Sequence, residues 1–321
     1  MSSLVHAGME RGSAGGNSFA SREKDRYWKM KMMKHLIAGI KRGLRLHRPG
    51  RSLLILPDDV FLVSFPKSGN TWTRFLLANL RFPEQPATFA NINRLIPDPE
   101  GTTKKDFDEM PRPRIIKSHE CFDPRYPRVV YIVRDPRDVV VSQYHYHRKI
   151  RKIEDDSPVE KFVTRFLAGE TCPHGSWGQN VVTWLATSEG DPRFLLLRYE
   201  DLVADTTREL AKVVAFLHLS AGPEQIAQAV ERSSADRMRK LEKTQTDKNG
   251  LMRGSRKDLL FVRAAGSGGW RSDLPAPMVA KIEAAWGPLM RHLRYELSSP
   301  SPSEARDHES LGILSSSARN L

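Results

Sequence analysis

Cysteine is scarce in this 321-residue chain: there are two, Cys121 and Cys172, far apart and without C-x-x-C spacing. That excludes a disulfide framework and a cysteine zinc site, and makes a reducing, cytoplasmic compartment the natural setting. No apolar run approaches the roughly 18 residues that a membrane span requires. The first residues are polar, carry Glu10, and hold no apolar stretch of the kind that directs secretion. Acidic residues are in deficit, 38 against 51 Lys and Arg, for a formal charge of +13. The excess is uneven, because residues 1–50 carry eleven Lys and Arg against three Asp and Glu. Basicity is thus the property of an arm, and nucleic acid is not an expected partner of the chain as a whole. Internal repeats are absent. What remains, 39% hydrophobic residues with 8% aromatic, suffices for a sizeable core and excludes disorder throughout.

Residues 1–24, rich in Ser, Gly and charge, predict a disordered tail. From Tyr27, the apolar residues Trp28, Met32, Leu36, Ile40 and Leu44 recur every four positions, with Lys31, Lys34, Lys41, Arg42 and Arg45 largely outside that stripe. This spacing predicts a basic amphipathic helical arm over 25–50. Patterning favours its packing on the domain with a solvated basic face; peripheral contact with an anionic membrane is the other setting. Residues 298–321 predict a Ser-rich, flexible tail.

Residues 51–297 predict a single α/β domain. Val60–Phe65, Arg114–Ser118, Val129–Val133 and Phe194–Leu197 read as strands, and helical patterns follow at Trp72 to Leu80, Asp138 to Lys149 and Thr206 to Leu219. The strands are continuously apolar rather than alternating, which argues for burial on both faces. The expected architecture is a three-layer fold with a central parallel sheet flanked by helices. In such sheets ligands lie beyond the carboxyl ends of the strands, so the loops after Phe65, Ser118 and Val133 should converge on one crevice.

A loop that leaves a buried strand and opens a helix gathers free backbone N–H groups and the positive end of a helix dipole, which suits phosphate. Pro66-Lys67-Ser68-Gly69-Asn70-Thr71 is such a loop: Lys67 adds charge, Gly69 permits close approach, and Asn70 and Thr71 offer side-chain donors. It is not a Walker A loop, because Ser64-Phe65-Pro66 stands where G-x-x-x-x-G-K-[ST] needs glycine.

Phe65-Pro66-Lys67-Ser68-Gly69-Asn70-Thr71-Trp72 resembles the Y-P-K-S-G-T-T-W loop of the cytosolic sulfotransferases. Five further segments follow in that family's order: Lys117-Ser118-His119, Val133-Arg134-Asp135-Pro136-Arg137-Asp138 running to Ser142, Gly175-Ser176-Trp177, Tyr199-Glu200-Asp201-Leu202, and Arg263 with Gly268-Gly269-Trp270-Arg271. The resemblance implies a sulfotransferase domain of P-loop-like fold over 51–297. It also implies transfer of a sulfuryl group from 3'-phosphoadenosine 5'-phosphosulfate (PAPS) to an acceptor hydroxyl or amine by in-line displacement, without a metal. The implied catalytic residues are His119 as base, Lys67 as leaving-group cation, and Lys117 at the transferring oxygens. Lys67, Ser68, Gly69, Asn70, Thr71 and Trp72 would hold the 5'-phosphate end, and Arg134, Ser142 and Arg263 the 3'-phosphate. Tyr199, Ser233, Ala264 and Ala265 complete the cofactor-binding set.

Three departures qualify the resemblance. Ala235 stands where the family stacks an aromatic ring on adenine, leaving Trp72 to do so, and Ala264-Ala265 stand where it has Lys-Gly, removing one cation. The residues after Trp270 lack the animal enzymes' short dimer motif, so the oligomeric state is open. The acceptor, a small molecule or a glycan or lipid hydroxyl, has no readable signature in the loops near Arg81 to Met110 and Ile150 to Pro158. Two alternatives stand beside the sulfotransferase: a P-loop-like nucleotide kinase, and a non-enzymatic nucleotide-binding module whose basic arm meets nucleic acid or membrane.

Overall fold

The computed structural model of the chain describes residues 53–99, 102–188, 190–245 and 254–298. The expected arm over 25–50, the tail over 1–24 and all but the first residue of the 298–321 tail lie outside the described residues. In chain order the strands and longer helices are β1 (Val60–Ser64), α1 (Asn70–Arg81), β2 (Ile115–Ser118), β3 (Arg128–Val133), α2 (Pro136–Lys149), α3 (Val159–Leu167), α4 (Trp177–Ser188) and β4 (Phe194–Arg198). They are followed by α5 (Thr206–Phe216), α6 (Pro223–Arg232), α7 (Ala235–Gln245) and α8 (Ala276–His292).

The strands form one parallel sheet in the order β2-β1-β3-β4. Although each strand is apolar almost throughout, its side chains still alternate between two cores. Val60, Leu62, Ile115, Val130, Ile132 and Leu197 join one cluster with Phe75 and Leu76 of α1 and Leu210 and Val213 of α5. Phe61, Val63, Ile116, Val129, Tyr131 and Val133 join the other, with Val140 of α2, Phe166 of α3, Trp177 and Trp184 of α4 and Ile282 of α8. Helices thus cover both faces, as expected of the three-layer fold. Among the apolar residues of the strands, Phe194, Leu195 and Leu196 of β4 are the ones left half-buried.

The segment Arg134-Asp135-Pro136-Arg137-Asp138 could be read in isolation as a solvated charge run, and it is not one. Asp135 caps α2 through the Arg137 N–H, with Pro136 in the first helical turn. The buried Arg137 guanidinium forks onto Asp135 (3.0 and 2.7 Å), donates to Glu283 of α8 (2.6 Å) and lies 3.8 Å from the Trp270 ring centroid. Removing one member of such a network strands buried charge. Arg137→Met is therefore expected to destabilise the protein by about 3–5 kcal/mol; a loss below 1 kcal/mol in urea unfolding would show that Asp135 and Glu283 are stable without it.

Candidate active site

The carboxyl ends of β2, β1 and β3 are level, with Val63 opposite Ser118 and Ser64 opposite Ile132, so the loops that follow them meet at one crevice. After β1 the chain turns through two left-handed residues, Lys67 (φ 73°) and Gly69 (φ 104°), and enters α1. The turn is fastened from inside: the Asn70 amide nitrogen donates to the Leu62 carbonyl (3.1 Å) and the Ser64 hydroxyl (3.2 Å). Asn70 thus commits that nitrogen to the strand, and what this position has left for an anion is its backbone N–H. Ser68 is fully buried, yet its hydroxyl has no partner. An orphaned donor inside a ring of free helix N–H groups fits an anionic group seated there. Thr71 is half-buried beside it.

Tyr199 forms a wall of this cradle. A Cβ on Gly69 would lie 2.5 Å from Tyr199 Cδ2, so only glycine allows this contact at that φ. The same ring lies edge-on to Trp72 (5.8 Å) and beneath the Arg134 guanidinium (4.2 Å). Arg134 donates to the Lys67 carbonyl (3.2 Å) and the Gly266 carbonyl (2.9 Å), joining the β1 loop to the segment that carries Arg263; its Nε is buried without a partner. Trp72 is held by its indole N–H on the Ser233 carbonyl (3.0 Å), while the Ser233 hydroxyl accepts from Asn79 (2.9 Å). Ser233 is therefore a buried support for Trp72. The Lys67 ammonium sits 4.4 Å from the Tyr146 ring centroid and 3.9 Å from that of Phe261. Burial, and then the nearby Arg134 charge, lowers its pKa to about 7.

Across the crevice, His119 Nδ1 lies 2.7 Å from the Ser64 carbonyl. A carbonyl can only accept, so Nδ1 carries the hydrogen and Nε2 is left with its lone pair. Asn180 of α4 donates to the His119 carbonyl (3.1 Å) and accepts from Tyr131 (2.8 Å), which fixes the backbone here. The His119 pKa lies well below the usual imidazole value, first because of burial and then because of Lys117 and His174. Lys117 is engaged: its ammonium pairs with Asp98, and its backbone N–H donates to Pro97 (2.9 Å). His147, by contrast, packs its ring 5.1 Å from Phe162 with burial taking its pKa down to about 4, a core histidine as its place on the helix suggests.

The 3'-phosphate candidates are more dispersed. Arg134 is half-buried and Ser142 half-buried on α2, whereas Arg263, Ala264 and Ala265 are exposed, and Arg263 pairs with Asp273 (3.0 Å). Ala265 takes φ 52°, left-handed, at the position where the resembling pattern has glycine. Several residues that hold these groups escaped sequence reading. Asp138 accepts the N–H groups of Gly268 (2.7 Å) and Trp270 (3.1 Å), and Arg239 donates to the Val262 (3.1 Å) and Arg263 (2.9 Å) carbonyls. Asp138 lay in plain view within the Arg134 segment; Arg239, Asn180 and Asp98 have no local signal.

An unpartnered donor at a helix start, a guanidinium at its rim and an imidazole across the crevice suit a group-transfer enzyme acting on a phosphorylated donor. The sulfotransferase domain family matches residues 57–294. Sulfotransferase 1A1 of Bos taurus is 29% identical over 257 residues, covering 75% of this chain and 86% of its own length. Cytosolic sulfotransferase 12 of Arabidopsis thaliana is 28% identical, covering 70% and 75%. Among solved structures, a mouse sulfotransferase complexed with PAP superposes with a TM-score of 0.59 at 25% identity, covering 75% of this chain and 87% of that one. The chain belongs to the sulfotransferase family: it is a transferase of P-loop-like α/β fold that moves a sulfuryl group from PAPS to an acceptor. The kinase alternative is not favoured. Gly69→Ala is expected to raise the Kd for adenosine 3',5'-bisphosphate (PAP) at least tenfold and to destabilise the fold by about 1–3 kcal/mol; calorimetric binding and thermal unfolding check both.

Proposed function

We propose that the acceptor is a small-molecule hydroxyl or amine and that His119 is the base that takes its proton. The observation that carries this is the His119 Nδ1–H bond to Ser64, which leaves Nε2 as an acceptor at the end of β2. When bound, PAPS supplies the sulfuryl group and the phosphate that serves as its leaving group. The backbone N–H groups of Ser68 to Trp72, with the unpartnered Ser68 hydroxyl, would hold the 5'-phosphate. Lys67 would meet negative charge on the leaving oxygen, and Lys117 would steady the sulfuryl oxygens. Arg134, Ser142 and Arg263 would grip the 3'-phosphate, where a guanidinium fork gives paired charge-assisted bonds. Trp72 offers the adenine a face. His119 Nε2 would then receive the acceptor proton, and its low pKa keeps it neutral, and so able to accept, at physiological pH.

The direct test is transfer of label from radiolabelled PAPS to a panel of phenol, sterol, sugar and amine acceptors, with the product identified. His119→Asn is expected to lower turnover about 100 to 10,000-fold while the Kd for PAP stays within a few-fold. The pH profile carries a sign: protonation of Nε2 removes the lone pair, so kcat/KM falls on the acid side. With the pKa lowered, that fall should come below the ordinary imidazole range, with the rate still flat near pH 6.5. An acid limb unchanged in the variant would move the base elsewhere.

Lys67 gives a second pH readout. With its pKa near 7 it is largely neutral at pH 8, and an anion placed against it restores the charged form. PAP binding at pH 8 should therefore take up close to one proton, read as buffer-dependent enthalpy in calorimetry. Lys67→Met should abolish the uptake; an equal uptake in the variant would assign it to another group.

A further inference from the structure

Lys149, at the end of α2, and Glu242, on α7, are 1% and 2% exposed and meet at 3.1 Å. An ion pair this deeply buried does not by itself imply added stability, since desolvating two charges offsets their attraction. Its hydrogen bonds show what it holds. The Lys149 ammonium donates to the carbonyls of Arg256 (2.9 Å) and Leu259 (2.6 Å), and its backbone carbonyl accepts the Arg256 N–H (2.9 Å). The Glu242 carboxylate accepts the backbone N–H groups of Phe261 (2.5 Å) and Val262 (3.0 Å). Nearly every polar group of the pair thus goes to one stretch of irregular chain, 256–262. That stretch lays the Phe261 ring 3.9 Å from the Lys67 ammonium and leads directly into Arg263. Arg239, also on α7, takes the carbonyls that follow.

We infer that the Lys149–Glu242 pair is a positioning device for the donor nucleotide: it sets segment 256–263 so that Phe261 closes over Lys67 and Arg263 stands where a 3'-phosphate can be gripped. Neither residue need touch the ligand. The pair acts through the backbone it clamps, and it determines how strongly the enzyme prefers a 3'-phosphorylated nucleotide to one without that group. This rests on the roles proposed above for Lys67 and Arg263.

The test compares the Kd of PAP with that of 5'-AMP, which lacks the 3'-phosphate, in the wild type, in Lys149→Met, in Glu242→Gln and in the double variant. Each single variant is expected to weaken PAP at least tenfold and 5'-AMP less than threefold. The KM for PAPS should rise about tenfold with the acceptor KM unchanged, and Lys149→Arg should restore most of the loss. A merely structural role would lower the melting temperature and leave the PAP to 5'-AMP ratio alone, and that result overturns the inference. Should the single variants fail to fold, hydrogen exchange on the unliganded wild type decides: the Phe261 and Val262 amides are expected to be strongly protected, and exchange at the rate of an open peptide overturns the proposal. A wild type that binds no PAP would refute the nucleotide roles themselves. PAP binding with an unchanged ratio in the variants refutes only the clamp.

Discussion

Ser64 is where the two halves of the site are joined. As the last residue of β1 it is fully buried, its carbonyl accepts the His119 ring N–H, and its hydroxyl accepts the amide of Asn70 at the start of α1. The β1 loop and the proposed base are therefore referred to one point on the most buried strand of the sheet. Because β1 is flanked on both sides and covered on both faces, that point has little freedom to move. The positions of the loop, the imidazole and Arg134 at the end of β3 follow from the level register of three parallel strands.

The crevice gathers cations in a place poor in water. Lys67, Lys117, Arg134 and the buried Arg74 lie around His119 and the β1 loop, and His119 and Lys67 respond in the same direction: both are pushed toward neutrality. Such a site is incomplete without negative charge, which a donor with phosphates at both ends supplies. The acidic side chains nearby are turned to construction. Asp138 holds the Gly268 to Trp270 turn, Asp98 holds Lys117, and Glu242 holds the Phe261 and Val262 backbone. They place the cations and the loops around the cradle.

Two of the departures from the family pattern fall on the exposed rim rather than in the cradle. Ala264 and Ala265 are exposed, and Ala265 accepts a left-handed backbone that glycine would take without strain. Arg239 supports the carbonyls of this rim from α7. The β1 loop, where backbone N–H groups and tight φ angles leave little choice of residue, keeps Lys67 and Gly69 where the pattern has them.

Local sequence was sufficient where one element carries its own signal. Continuous apolar runs determined parallel strands buried on both faces, and a strand, a Lys-Ser-Gly loop and a helical stripe determined a tight turn into a helix start, because backbone geometry there depends on neighbours in the chain. His119 was singled out as a candidate by its place directly after β2. What the sequence left undecided depends on contacts between distant segments. That Asn70 turns inward, that Asp135, Arg137 and Asp138 are buried rather than solvated, that Ser233 supports Trp72, and that Lys149 and Glu242 clamp the segment before Arg263 are results of packing. A charged residue looks the same in a sequence whether it faces water or a partner on another helix, and only the tertiary structure supplies the partner.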